Sequence, residues 1–275
     1  MISFEQTSHH LEALGGRLHY NDIGEGTPLI CVHGGGSGAN AWDNTKWALD
    51  GLSADHRVLL LDLPGYGTSD NLEAEADESR DRYYARAVLA LMDSLGLEAA
   101  HLFGPSMGAT PMIRIAHDHP DRVLKLVLKS PAGMGKHFLT PSPMDGIRAL
   151  DTFRQDPTFE NMTQLMRLFV PGKGLLTDAL IEARFASAQQ AMMLKPAARK
   201  PTELADIRAL LPKLTMPTLV LWGHQDRMVA MDGALGALAL IPKVEVHLWG
   251  GGTGHFVEFE HADAFNRVVI SFLKA

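Results

Sequence analysis

The sequence has a single cysteine, Cys31, among its 275 residues. One thiol makes no internal disulfide and no metal cluster, so the chain is compatible with a reducing cytoplasm. Within "PLICVH", Cys31 reads as a small buried hydrophobe. The opening "MISFEQTSHH" lacks a basic start followed by an apolar stretch, so no secretion signal is expected. The longest apolar runs, such as "ALGALALI", are far too short to span a bilayer. A basic stripe is missing too. The formal net charge of −7 argues against nucleic acid and other polyanions as partners. Repeats and low-complexity tracts are also absent. These absences leave a soluble, cytoplasmic protein, built as one large domain or as a core with an insertion.

What is present is an alternation of short apolar runs with helical patterns. "RLHYNDI" alternates apolar and polar residues, as a half-exposed edge strand does. "PLICVH", "RVLLLD", "AHLFG", "LKLVLK", "PTLVLWG" and "VEVHLW" read as strands buried on both faces, as parallel strands are. "DRYYARAVLALMDSLG" puts Tyr84, Val88, Leu91, Met92 and Leu95 on one helical face, with Gly96 as its stop. "HADAFNRVVISFLKA" turns Ala264, Phe265, Val268, Val269 and Phe272 inward. The expected class is α/β, a mostly parallel central sheet with helices on both faces. From about Gly135 to Pro201 strand signals vanish. "PMDGIRALDTF", "TFENMTQLMRLFV" and "TDALIEARFASAQQAMM" are helical and methionine-rich, separated by turns at "TPSP", "VPGKG" and "KPAARKP". Met144, Met162, Met166, Met192 and Met193 are expected to fill an adaptable apolar core there. This divides the chain into a core, residues 1–134 and 207–275, and a helical cap, residues 135–206. Ligands in such sheets bind at the carboxyl ends of the strands.

At one such end stands Gly104-Pro105-Ser106-Met107-Gly108, with a strand before it and a helix beginning near Met107. A serine held in a tight strand-to-helix turn, flanked by glycines two residues away, is the context of a nucleophile elbow. A serine hydroxyl needs a base, and the base needs an acid to orient it. Asp226 in "LVLWGHQDRMV" and His255 in "GGGTGHFVEF" follow in the order serine, acid, histidine, each past a strand end. His224, His247 and His261 are read as structural. "HGGGSG" after the strand "PLICV" exposes backbone N–H groups. No Walker lysine follows and the spacing is not G-x-G-x-x-G, which disfavours a phosphate cradle. As an oxyanion hole it offers Gly35 N–H, with Met107 N–H as the second donor. Asn44 either reaches the pocket or caps a helix. Arg184 shares a helical face with Leu180, Ile181 and Ala188, so its charge turns inward and needs an anion, either a protein acid or a substrate carboxylate.

These residues carry a resemblance. "HGGGSGANAWDN", "GPSMGAT", "HPDRVLKLVLKSPAGMG", "PSPMDGIRAL", "WGHQDRMV" and "GHFVEFEHADAFNRVVISFL" make the chain similar to the meta-cleavage product hydrolases of the α/β-hydrolase fold. That family hydrolyses C–C bonds in ring-fission products of aromatic compounds. The resemblance implies a triad of Ser106, Asp226 and His255, and oxyanion donors at Gly35 and Met107. It implies substrate contacts at Gly34, Asn44, Arg184 and Phe256, Asn44 and Arg184 holding the 2-hydroxy-6-oxo-dienoate end. The implied reaction ketonises the dienol through His255, then breaks the bond at the C6 carbonyl. It needs a small-molecule substrate, no cofactor and no metal, and the family assembles as homo-oligomers. Two positions depart from it. Pro105 stands where members usually have asparagine, and Phe256 where they often have tryptophan. An ordinary carboxylesterase or lactonase using the same triad stays open at this point, as do a ligand receptor and a cofactor-free oxygenase on this scaffold.

Overall fold

The computed structural model describes residues 2–134, 144–172, 174–194, 196–203 and 206–275. Eight strands form one sheet: β1 (Ser8–Ala13), β2 (Gly16–Ile23), β3 (Thr27–Val32), β4 (His56–Leu61), β5 (Ala100–Pro105), β6 (Val123–Lys129), β7 (Thr218–Gly223) and β8 (Val244–Trp249). Their spatial order is β1-β2-β4-β3-β5-β6-β7-β8. The β1–β2 and β2–β4 pairs are antiparallel, and every pair from β4 to β8 is parallel.

The inner strands are Leu- and Val-rich because both their faces are covered. Leu59, Leu60 and Leu61 of β4 are fully buried, alternating between two cores. Each such side chain contributes about 1.5–3 kcal/mol relative to exposure. One face packs on α1 (Arg80–Ser94) and α2 (Ala109–Asp118); the other packs on the C-terminal helix Ala262–Lys274. Gly96 follows α1 with φ of +64° and ends it.

Between β6 and β7 lie three helices: α3 (Asp145–Gln155), α4 (Phe159–Phe169) and α5 (Asp178–Met192). They share a third core of Leu150, Phe153, Met162, Leu165 and Ile181 with Met228 from the loop after β7. The turn "TPSP" lies outside the described residues, as does residue 135, where the expected cap begins.

Three expectations need correction. "RLHYNDI" is not an edge strand. β1, "SHHLEA", is the edge and covers it; Leu11 alone of its side chains packs on the core, so its sequence resembles surface. "VEVHLW" is the opposite edge rather than a doubly buried strand, with Leu248 exposed. Met162 and Met166 are buried, but Met192 and Met193 are exposed, because the last turn of α5 runs past the third core.

His33, just after β3, ties the oxyanion loop to the sheet. Leu63 N–H donates to its Nε2 at 2.9 Å, which leaves Nδ1–H to donate to Gly34 O at 2.7 Å. Burial pulls its pKa down to about 4. The folded state therefore holds a neutral ring whose unfolded pKa is near 6.5. Stability is full above pH 6.5 and falls as pH drops from 6.5 toward 4, because only the unfolded chain takes the proton. The expected loss is about 3 kcal/mol. Urea midpoints across this range should fall less steeply in His33→Gln than in the wild type.

Candidate active site

Ser106 sits between β5 and α2 with φ of +52°, a left-handed backbone that L-residues adopt only under constraint. The constraint is close packing. A Cβ on Gly104 would collide with the Gly108 carbonyl oxygen, and one on Gly108 would collide with His33 O. Glycine at both places lets the turn close and lifts Ser106 above the sheet edge. Pro105 has φ of −90° and ψ of 142°, ordinary extended values, and pairs in register with Lys129 of β6. Its ring fits this strand end without distortion, and it offers the cavity no hydrogen-bond donor.

Asp226 lies three residues past β7 and is buried. Met228 N–H and Val229 N–H donate to its Oδ1 at 2.8 and 3.0 Å, while its Oδ2 accepts from His255 Nδ1 at 2.7 Å. Burial alone would raise this carboxyl. The charge and hydrogen bond of His255 and the Val229 N–H outweigh it and hold the pKa below the usual range. His255 thus presents Nε2 toward the cavity it lines with Ser106. Among the described residues the Ser106 hydroxyl makes no direct hydrogen bond to this ring; in free enzymes such bonds often tighten only when substrate is bound.

The oxyanion candidates meet at the elbow. A Cβ on Gly35 would lie 2.8 Å from Met107 Sδ, so loop and elbow are in contact, and Gly35 N–H has no acceptor among the described residues. Met107 N–H lies in the first turn after β5, where helical N–H groups lack partners. Gly34 N–H, by contrast, is taken by Asn44 Oδ1 at 3.0 Å. Asn44 is therefore no helix cap; Asn40 is, accepting from Asp43 N–H. Asn44 Nδ2 remains for the cavity.

Arg184 is buried, with Nε donating to Ser37 O at 2.8 Å. Burial pulls its pKa down to about 10, countered by Asp43, so it stays charged at neutral pH. No carboxylate lies within 4 Å of it among the described residues, and its guanidinium lines the cavity. Phe256 lines it too, stacked on Phe169 with ring centres 4.8 Å apart. His247 packs on Trp249 and His261 Nε2 pairs with Thr253 Oγ1, while His224 is exposed.

All nine expected residues, Ser106, Asp226, His255, Gly34, Gly35, Met107, Asn44, Arg184 and Phe256, thus gather at the carboxyl edge of the sheet, eight of them on a cavity of about 230 Å³ and Asp226 behind His255. The sequence reading missed others. Phe169 O accepts His255 N–H at 2.8 Å, so α4 anchors the histidine loop directly. Lys129, fully buried at the end of β6, donates to His255 O at 2.7 Å and lies 3.2 Å from Glu258 Oε1, an ion pair by distance rather than an aligned hydrogen bond. A lysine closing the apolar run "LKLVLK" was the available signal. Arg80 and Arg154 also line the cavity, and nothing in their polar surroundings marked them.

The sequence profile of the α/β-hydrolase fold matches residues 27–262. A 2-hydroxy-6-oxo-6-phenylhexa-2,4-dienoate hydrolase of Burkholderia cepacia is 36% identical over 94% of this chain and 91% of its own length. A 2-hydroxy-6-oxononadienedioate/2-hydroxy-6-oxononatrienedioate hydrolase of Comamonas testosteroni is also 36% identical, with the same coverage. Among solved structures, a serine-to-alanine mutant of the meta-cleavage product hydrolase of Pseudomonas fluorescens IP01, complexed with acetates, superposes with a TM-score of 0.83. It is 27% identical and covers 98% of both chains.

Proposed function

The chain belongs to the α/β-hydrolase family and, within it, to the meta-cleavage product hydrolases, and on that premise we propose that it hydrolyses the C5–C6 bond of a 2-hydroxy-6-oxohexa-2,4-dienoate carrying an alkyl or aryl substituent at C6. The products are 2-hydroxypenta-2,4-dienoate and a carboxylic acid. The single observation that carries this reading is the cavity itself. It joins a serine elbow and the Asp226–His255 pair to a buried, charged arginine with no carboxylate at ion-pair distance among the described residues.

In this reading Arg184 and the Nδ2 of Asn44 receive the carboxylate and 2-oxygen of the dienoate. An arginine fork binds a carboxylate through two parallel hydrogen bonds, which also fixes its direction. His255 Nε2 accepts the 2-hydroxyl proton and returns one at C5, giving the 2-keto form. Ser106 then attacks C6 while His255 takes its proton, and the oxyanion is held by Gly35 N–H and Met107 N–H. The C5–C6 electron pair leaves into the conjugated 2-keto system, which accepts it as a dienolate. Protonation of that dienolate gives the hydroxypentadienoate, and water releases the acyl group from Ser106 as the acid. Residues 135–206 serve as a cap on the core of residues 1–134 and 207–275, with Phe169 and Phe256 shielding the reacting carbonyl.

Incubation of the purified protein in H₂¹⁸O with 2-hydroxy-6-oxo-6-phenylhexa-2,4-dienoate and with 2-hydroxy-6-oxononadienedioate tests this. At least one is expected to be cleaved, its carboxylic acid product carrying one solvent oxygen. If both dienolates persist while aryl esters are hydrolysed through Ser106, the reading fails and a carboxylesterase takes its place.

A further inference from the structure

The cavity carries more positive charge than one carboxylate needs. In a chain of net charge −7, its described lining includes four cations, Arg80, Lys129, Arg154 and Arg184, and no aspartate or glutamate. Two of the four are accounted for. Lys129 is turned to Glu258 and the His255 carbonyl, and Arg184 is assigned to the dienoate carboxylate. Arg80 and Arg154 are left.

These two come from separate elements. Arg80 is the first residue of α1, and Arg154 closes a face of α3 that also brings Ile147 and Leu150 to the cavity. They stand away from Arg184. Arg184 also borders an adjoining hollow with Asp43, Asn44 and Trp47, a hollow that neither Arg80 nor Arg154 reaches. Burial raises the Tyr66 phenol beside Gly35, while Arg154, Arg80 and Arg184 pull it back, so all three cations act on this side of the elbow's surroundings. The same cavity has an apolar wall that includes Ile147, Leu150, Met228 and Val229.

Protein acids satisfy the two arginines poorly. Arg80 lies 3.6 Å from Glu203 and Arg154 donates to Asp151 at 3.3 Å, both exposed carboxylates. Exposed pairs of this kind contribute little and are screened by salt. A guanidinium carries five donors, so among the described residues most of each fork is open.

We infer that the C6 acyl group of the substrate is a short apolar chain ending in a second carboxylate, received by Arg80 and Arg154. This rests on the C–C hydrolase reading above and names its substrate class, a dioate. Similarity does not make that choice, because relatives acting on a phenyl ketone and on a dioate are equally identical to this chain. Leu150 and Arg154 lie one turn apart on α3, about 6 Å along the axis, so the helix face on the cavity passes from an apolar to a cationic side chain.

The test compares kcat/KM for 2-hydroxy-6-oxonona-2,4-diene-1,9-dioate with that for 2-hydroxy-6-oxonona-2,4-dienoate, which ends in a methyl group. Wild type is expected to favour the dioate at least tenfold. In Arg154→Gln and in Arg80→Gln the ratio is expected to fall 10–100-fold, the range for a charge-assisted hydrogen bond. A wild-type ratio near one, or an unchanged ratio in both variants, overturns the inference and leaves the C–C hydrolase reading standing. If wild type cleaves neither compound, nor the phenyl ketone, that reading falls first and this one with it.

Discussion

Ser106→Ala is expected to lower kcat for C–C cleavage by about 10⁴-fold or more, the scale seen when a nucleophile acting in a concerted unit is removed. The argument is geometric. Ser106 alone holds a left-handed φ at the tip of the elbow, with the Gly35 loop in contact and His255 across the cavity. Ser130, just after β6, also has a left-handed φ of +44°, but its hydroxyl is buried beside Asp226 and it does not line the cavity. Thr110 lines the cavity, but its Oγ1 is committed to Met107 O at 2.8 Å. Alanine fits the same backbone, and the groups assigned to the dienoate, Arg184 and Asn44, do not depend on the hydroxyl. Binding should therefore change only a few-fold. Steady-state kinetics with equilibrium binding to the inactive variant separates the two. A variant retaining a tenth of wild-type kcat would remove Ser106 from the chemistry.

Asp226→Asn is expected to cost nearly as much, about 10⁴-fold in kcat. The backbone donors decide which way the new amide points. Met228 N–H and Val229 N–H both reach Oδ1, so an asparagine oxygen must stay there. Its NH₂ then faces His255 Nδ1 and demands an acceptor. The imidazole is forced to carry its proton on Nε2, where it can no longer take one from Ser106. The carboxylate also contributes to folding. Its pKa lies below the unfolded value near 3.8, so its contribution is present above that pH and is lost as pH falls through the folded pKa. The variant should lose stability at neutral pH yet show a shallower decline in acid. Full activity in a folded variant would mean that Asp226 does not set the tautomer.

The parts legible from sequence were those in which chemistry or burial dictates residue type. β3 to β7 announce themselves because strands covered on both faces must be apolar. The elbow and its acid and histidine do so because a strained turn needs glycines and a hydroxyl needs a base. β1 was invisible because an edge strand with exposed histidines and glutamate obeys neither demand. β8 misled for the opposite reason, since its apolar residues are only half covered. Asn40 and Asn44 show the limit of spacing arguments. Asn40 precedes the short helix Ala41–Thr45 and Asn44 lies within it, and only the fold decides that Asn40 caps while Asn44 turns to Gly34. Lys129, Phe169, Arg80 and Arg154 were missed because their places at the cavity arise through contacts between residues far apart in the chain.

One event is central to this chemistry, Ser106-dependent scission of a dienolate bound in the cavity. Single-turnover absorbance with excess enzyme over 2-hydroxy-6-oxononadienedioate observes it most directly, because the conjugated dienolate band reports ketonisation and cleavage. Wild type should bleach the band fully and release hydroxypentadienoate, whereas Ser106→Ala should bind the compound, perturb the band and release no product. Product formed at similar rates by both proteins would contradict the account.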